Sequence, residues 1–133
     1  MKAKLIAIWF AALGIILISN CTSSKGQQGE YLYNVYCAPC HMEDGNGLER
    51  LYPPLNQADF LAENQEHIPC IIRHGIEGKI IVNGVEFNEP MAGIEDLNDV
   101  EINNIINYIN QAWDNDIPTV NFKTTEERLQ QCP

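Results

Sequence analysis

The chain has 133 residues, enough for one small domain and little more. Its formal charge of −10 argues against a nucleic-acid binder and against attachment to anionic lipid by charge. It suits either partners with basic docking faces, met faster at low salt, or plain solubility.

Met1 to Lys4 carries two lysines, and Leu5 to Ile18 is an almost unbroken apolar run of 14 residues, short for a membrane span and right for the core of a signal peptide. The following Ile18-Ser19-Asn20-Cys21 is similar to the lipobox of bacterial lipoproteins. Residues 1–20 are therefore expected to be a lipoprotein signal peptide and Cys21 a lipidated N-terminus; the alternatives are a plain secreted protein or an uncleaved anchor helix. Removing them takes Lys2 and Lys4 and no acid, leaving −12 on the mature chain. Residues 21–28 are polar and read as a flexible tether, so acyl chains would hold the protein to a membrane surface without a spanning helix.

From Glu30 to Cys40, Tyr33, Tyr36, Cys37 and Cys40 share one face of a predicted amphipathic helix, closed by Pro39, Gly45 and Gly47. Cys37-Ala38-Pro39-Cys40-His41 is the attachment signature of a c-type haem: each thiol adds to a vinyl group, and the imidazole takes one axial position on iron. Two alternatives stand beside it. One is a zinc site drafting Cys70, His74 or Cys132; the other is a redox dithiol, which would want a strand rather than a helix before the motif.

Tyr52-Pro53-Pro54-Leu55 is extended, because a residue before proline avoids the α region. Asp59 to Ala62 predicts a short helical turn. Asn64 offers an N-cap for a helix starting near Gln65 or Glu66 and stopped after His74 by Gly75. Ile80–Val82 and Val85–Phe87 flank Asn83-Gly84, the strongest short hairpin signal. Asn88 to Ile94 reads as a loop containing Pro90 and Met91. Leu97 to Trp113 is the clearest helix: Asn98 and Glu101 form a capping box, and Ile102, Ile105, Ile106, Ile109 and Trp113 make the buried stripe. Asparagines, weak helix formers, occupy its other face. Residues 114–133 are a C-terminal tail, with a short helix expected from Thr125 to Gln131.

A second ligand to iron separates an electron carrier from a gas or peroxide binder. Met42 is adjacent to His41 and cannot reach the far face; His67 and His74 read as surface or packing residues. Met91, in a loop just before the long helix, is the expected partner, and a thioether opposite histidine raises the potential. Cys70 and Cys132 are expected to pair across a long loop in an oxidising compartment; otherwise Cys70 is a small buried residue and Cys132 a free one. Arg73 and Lys79 are candidate partners for the haem propionates, since partly buried carboxylates need pairing.

The haem motif, Gly45-x-Gly47, Pro53-Pro54-Leu55, His74-Gly75-x-x-Gly78, Val82-Asn83-Gly84, Met91, and a last helix with Tyr108 and Trp113 together resemble a class I (monohaem) bacterial cytochrome c over about Gly29 to Trp113. The resemblance implies a mainly α fold, three to four helices around one covalent haem, with a small β-hairpin near 80–87 and a domain at 29–113. It implies that Cys37 and Cys40 attach the haem, His41 and Met91 ligate iron, and the carbonyl of Pro53, rather than Pro54, accepts from His41. Gly29 and Tyr33 would let the terminal helices approach, with Tyr108 opposite.

The expected protein is an exported, lipid-anchored monomer on the periplasmic face of a membrane. It passes single electrons between respiratory complexes and catalyses no reaction of its own. The alternatives are a haem subunit of a dehydrogenase or oxidase, an open-site sensor or peroxidase, and a zinc-structured binding module.

Overall fold

The computed structural model describes residues 24–133, so the expected signal peptide and Cys21 lie outside the described residues. Helix α1 runs Ser24–Tyr36 and α2 Ala38–His41. The break between them follows from Pro39, which has no N–H for the carbonyl four residues back and is tolerated only in a first turn. The helix also begins inside the stretch expected to be tether. That polar stretch has weak helical preference of its own and is held by contact: Asn104 Nδ2 donates to Gln28 Oε1 at 3.0 Å.

Helix α3 spans Asp59–Glu63 and α4 Ile68–His74. Pro69 again lies in the first turn, which is why α4 starts at Ile68 rather than at Gln65 or Glu66. Asn64 closes α3 instead of opening α4, its Nδ2 donating to the Phe60 carbonyl at 2.8 Å. Gly75 ends α4 at φ 83°, as expected.

Strands β1 (Gly75–Ile76), β2 (Ile80–Val82), β3 (Val85–Phe87) and β4 (Met91–Ala92) follow. The expected hairpin pairs Ile80 with Phe87 and Val82 with Val85, and Asn83 and Gly84 both take the positive φ that its tight turn requires. The second ladder was not expected: β4, read as loop, pairs antiparallel with β1, Ile76 opposite Met91 and Gly75 opposite Ala92.

Helix α5 (Asp99–Gln111) opens with the Asn98/Glu101 capping box and buries Ile102, Ile105, Ile106 and Ile109. Its asparagine face is not solvated. Asn103 and Asn110 are buried, and with Asn107 they bind the returning chain. Asn103 donates to Val120 O at 2.9 Å and Thr125 Oγ1 at 2.8 Å. Asn107 accepts from Val120 N at 2.7 Å and donates to its carbonyl at 2.9 Å. Asn110 donates to Pro118 O at 3.2 Å and exchanges amide hydrogen bonds with Gln65. Residues 114–133, expected as a C-terminal tail, thus pack back against α5. Helix α6 is Phe122–Leu129, capped by Asn121, starting earlier than expected. Beyond it, Cys132 is disulfide-bonded to Cys70 of α4, their Cα atoms 5.5 Å apart.

Candidate cofactor site

The site is built on the crossing of α1 and α5. A Cβ at Gly29 would collide with the Asn104 carbonyl and lie 2.8 Å from Tyr108 Cβ, so glycine sets how closely the helices approach. Tyr33 is fully buried there, its ring centroid 5.3 Å from those of Tyr108 and Trp113. Its hydroxyl donates to the Met42 carbonyl at 2.6 Å, fixing the backbone immediately after His41. Burial pushes the Tyr33 phenol well above its ordinary value, so it stays a donor. Trp113 Nε1 donates to Glu43 O at 3.1 Å, and its ring lies where a Cβ on Gly45 would be, 2.5 Å away. The loop after the Cys-x-x-Cys-His motif is therefore clamped by Tyr33 of α1 and by Trp113, which lies two residues beyond the end of α5 at positive φ instead of in the helix expected to reach it.

His41 is 9% exposed, and its Nδ1 is 2.9 Å from the Pro53 carbonyl. A carbonyl only accepts, so Nδ1 carries the proton and Nε2 presents its lone pair. Desolvation lowers the His41 pKa, the Pro53 bond opposing it in part, which keeps the imidazole neutral. Gly47 makes this approach possible: a Cβ there would meet Tyr52 O and come 2.7 Å from the Pro53 carbonyl.

Cys37, Cys40, His41 and Met91 line one cavity of about 400 Å³. Its walls are apolar, with Leu61, Ile72, Val82, Phe87, Ile105 and Ile109 among them. Met91 reaches it from β4, which lies close against the end of α4 because Gly75 and Gly93 carry no side chain. A Cβ on Gly75 would meet Met91 O, and one on Gly93 would be 2.5 Å from Arg73 O. The signal for this unexpected ladder was present only as that pair of glycines, 18 residues apart in sequence.

Arg73 and Lys79 are engaged elsewhere, contrary to expectation. The Arg73 guanidinium donates to Glu95 O, Leu97 O and Asp99 Oδ1 outside the cavity. Lys79 pairs with Glu86 across the exposed hairpin at 2.9 Å. No lysine or arginine is among the described residues lining the cavity, whereas Glu89 is one of them. His67, exposed beside Glu66, and His74 are not on its wall.

The donors suit the covalent haem that the motif predicts: two thiols for attachment, an oriented imidazole, a soft thioether and a dry apolar wall. They suit the alternatives poorly. The thiols of Cys70 and Cys132 are bonded to each other, and among the described residues no three His, Cys, Asp or Glu side chains cluster as metal ligands. Burial, with Cys40 beside it, pushes the Cys37 thiol up to about 12, opposite to the lowered value of a redox dithiol.

Residues 24–109 match the protein family described as cytochrome c oxidase, cbb3-type, subunit III. The chain belongs to this cytochrome c family. It is 32% identical over 133 residues to a cytochrome c-552 of Thermus thermophilus, covering 96% of this chain and 84% of that relative. A second Thermus thermophilus cytochrome c-552 is 34% identical over 97 residues, 68% of this chain and 74% of the relative. The cytochrome c subunit of a quinone alcohol dehydrogenase from Gluconobacter oxydans is 30% identical over 103 residues, 71% of this chain but 21% of that longer protein. The protein is thus a cytochrome c, an electron carrier with covalently attached haem c.

Proposed function

We propose that this cytochrome c holds its haem on Cys37 and Cys40 with His41 and Met91 as axial ligands, and shuttles single electrons between respiratory partners at a membrane. The observation that carries the ligand assignment is that Met91, 50 residues beyond His41, shares its apolar cavity. Haem c supplies the iron that alternates between ferric and ferrous states. The chain's own work is to keep one ligand pair in both states. Pro53 fixes the His41 tautomer, the β1/β4 ladder carries Met91, and the aliphatic walls exclude water. Cys40 is exposed, and with it one rim of the cavity, where electrons would pass.

The apolar run ending at Cys21 supports export and lipid attachment on the periplasmic face, and the acidic surface supports partners with basic docking faces. A second reading, as a haem subunit of a dehydrogenase complex, draws on the Gluconobacter relative. Carbon monoxide tests the ligand assignment: the ferrous protein should bind it slowly and incompletely, since Met91 must first leave, whereas rapid stoichiometric binding would show an open site and refute Met91.

A further inference from the structure

The segment carrying Met91 leaves α4 at Gly75 and returns to α5 at Asn98. Its hairpin tip is fixed to the start of α3: Asn83 N donates to Asp59 Oδ1 at 2.7 Å, and Asp59 N donates to Asn83 Oδ1 at 3.0 Å. Its base is fixed by Ile94 N, which donates to Ile72 O at 2.9 Å, and by one side chain of the last turn of α4. That side chain is Arg73, 19% exposed, whose Nη1 donates to Leu97 O at 2.6 Å and Glu95 O at 3.2 Å while Nη2 meets Asp99 Oδ1 at 2.6 Å. One guanidinium therefore ties the end of α4 to both the outgoing end of the Met91 segment and the first turn of α5. Gly93, two residues after Met91, packs directly on the Arg73 carbonyl. The short β1/β4 ladder is too small to hold a segment alone.

We infer that Arg73 is a positioning residue for Met91: a strap that closes the segment's base and so limits how often the thioether leaves iron. It does not line the cavity and acts through two backbone carbonyls and the Asp99 carboxylate, by charge-assisted hydrogen bonds that only a planar fork makes together. The inference rests on Met91 being the ligand.

Imidazole titration of the ferric holoprotein, followed by absorption, reads the strap directly, because imidazole enters only when Met91 has left. Arg73→Gln should raise the apparent imidazole affinity roughly tenfold or more and weaken the red methionine-to-iron band. Arg73→Lys should give an intermediate shift, and it decides the matter alone should Arg73→Gln not fold. Asn103→Ala, which loosens α6 without touching the strap, should lower the unfolding midpoint and leave imidazole affinity unchanged. The inference is overturned if the Arg73 variants bind imidazole as weakly as the unaltered protein, or if Asn103→Ala strengthens binding equally, which would show general loosening. Met91→Ala run alongside separates the two layers: retention of its red band would overturn the ligand assignment itself.

Discussion

At Tyr33 one phenol joins the helix crossing to the haem-attachment loop, through its ring against Tyr108 and Trp113 and its hydroxyl on Met42 O. Tyr33→Phe keeps the packing and leaves that carbonyl with only its bond from Gly45 N, so it should cost about 1 kcal/mol in denaturant unfolding. The folded phenol's pKa is raised above the unfolded value of about 10. Above that pH the unfolded chain releases a proton that the folded chain keeps, so stability should fall as pH rises past about 10 and fall less in Tyr33→Phe. Gly29→Ala should cost about 1–3 kcal/mol, because its Cβ is driven into the Asn104 carbonyl of the facing helix; a thermal melt unchanged from the native protein would contradict the close crossing. Gly29, Tyr33 and Tyr108 were legible in the sequence through its resemblance to the cytochrome c family, which implies a small residue and aromatics where the helices cross. The asparagines of α5 were not, since a buried amide is specified by the partner that a distant segment presents.

The elements divide along the same line. The α5 capping box and the β2/β3 hairpin are local devices, written in adjacent residues, and they occur where the sequence reading put them. The β1/β4 ladder is two residues long and carries no periodicity, and the start of α1 is polar. Both depend on tertiary contacts. So does α6, which Asn103 joins to α5 through Thr125, while Asn107 holds Val120 just before it and the Cys132 bond to Cys70 ties the chain just after it to α4. Asn103→Ala should destabilise by about 1–3 kcal/mol by leaving Thr125 and Val120 short of partners, with faster amide hydrogen exchange across Phe122–Leu129 than across α1. Reducing the Cys70–Cys132 bond, which closes a sequence separation of 62, should cost about 4 kcal/mol on chain-entropy grounds. An unchanged unfolding midpoint after reduction would contradict that brace.

For the whole molecule, the surface is acidic and the described cavity lining holds Glu89 but no lysine or arginine. Electron transfer to a partner with a basic face should therefore slow as salt rises, by stopped-flow at varied ionic strength; a salt-independent rate would contradict charge-guided docking. The attachment motif named one side of the iron from five consecutive residues, and Met91 was legible for the other side only as a methionine in a loop before the long helix; His41 and Met91, from separate parts of the chain, line the same cavity. The absorption spectrum of the purified ferric protein tests that pairing most directly. The account predicts low-spin iron with the weak red band of methionine coordination, lost in Met91→Ala; a high-spin ferric spectrum without that band in the unaltered protein would contradict it.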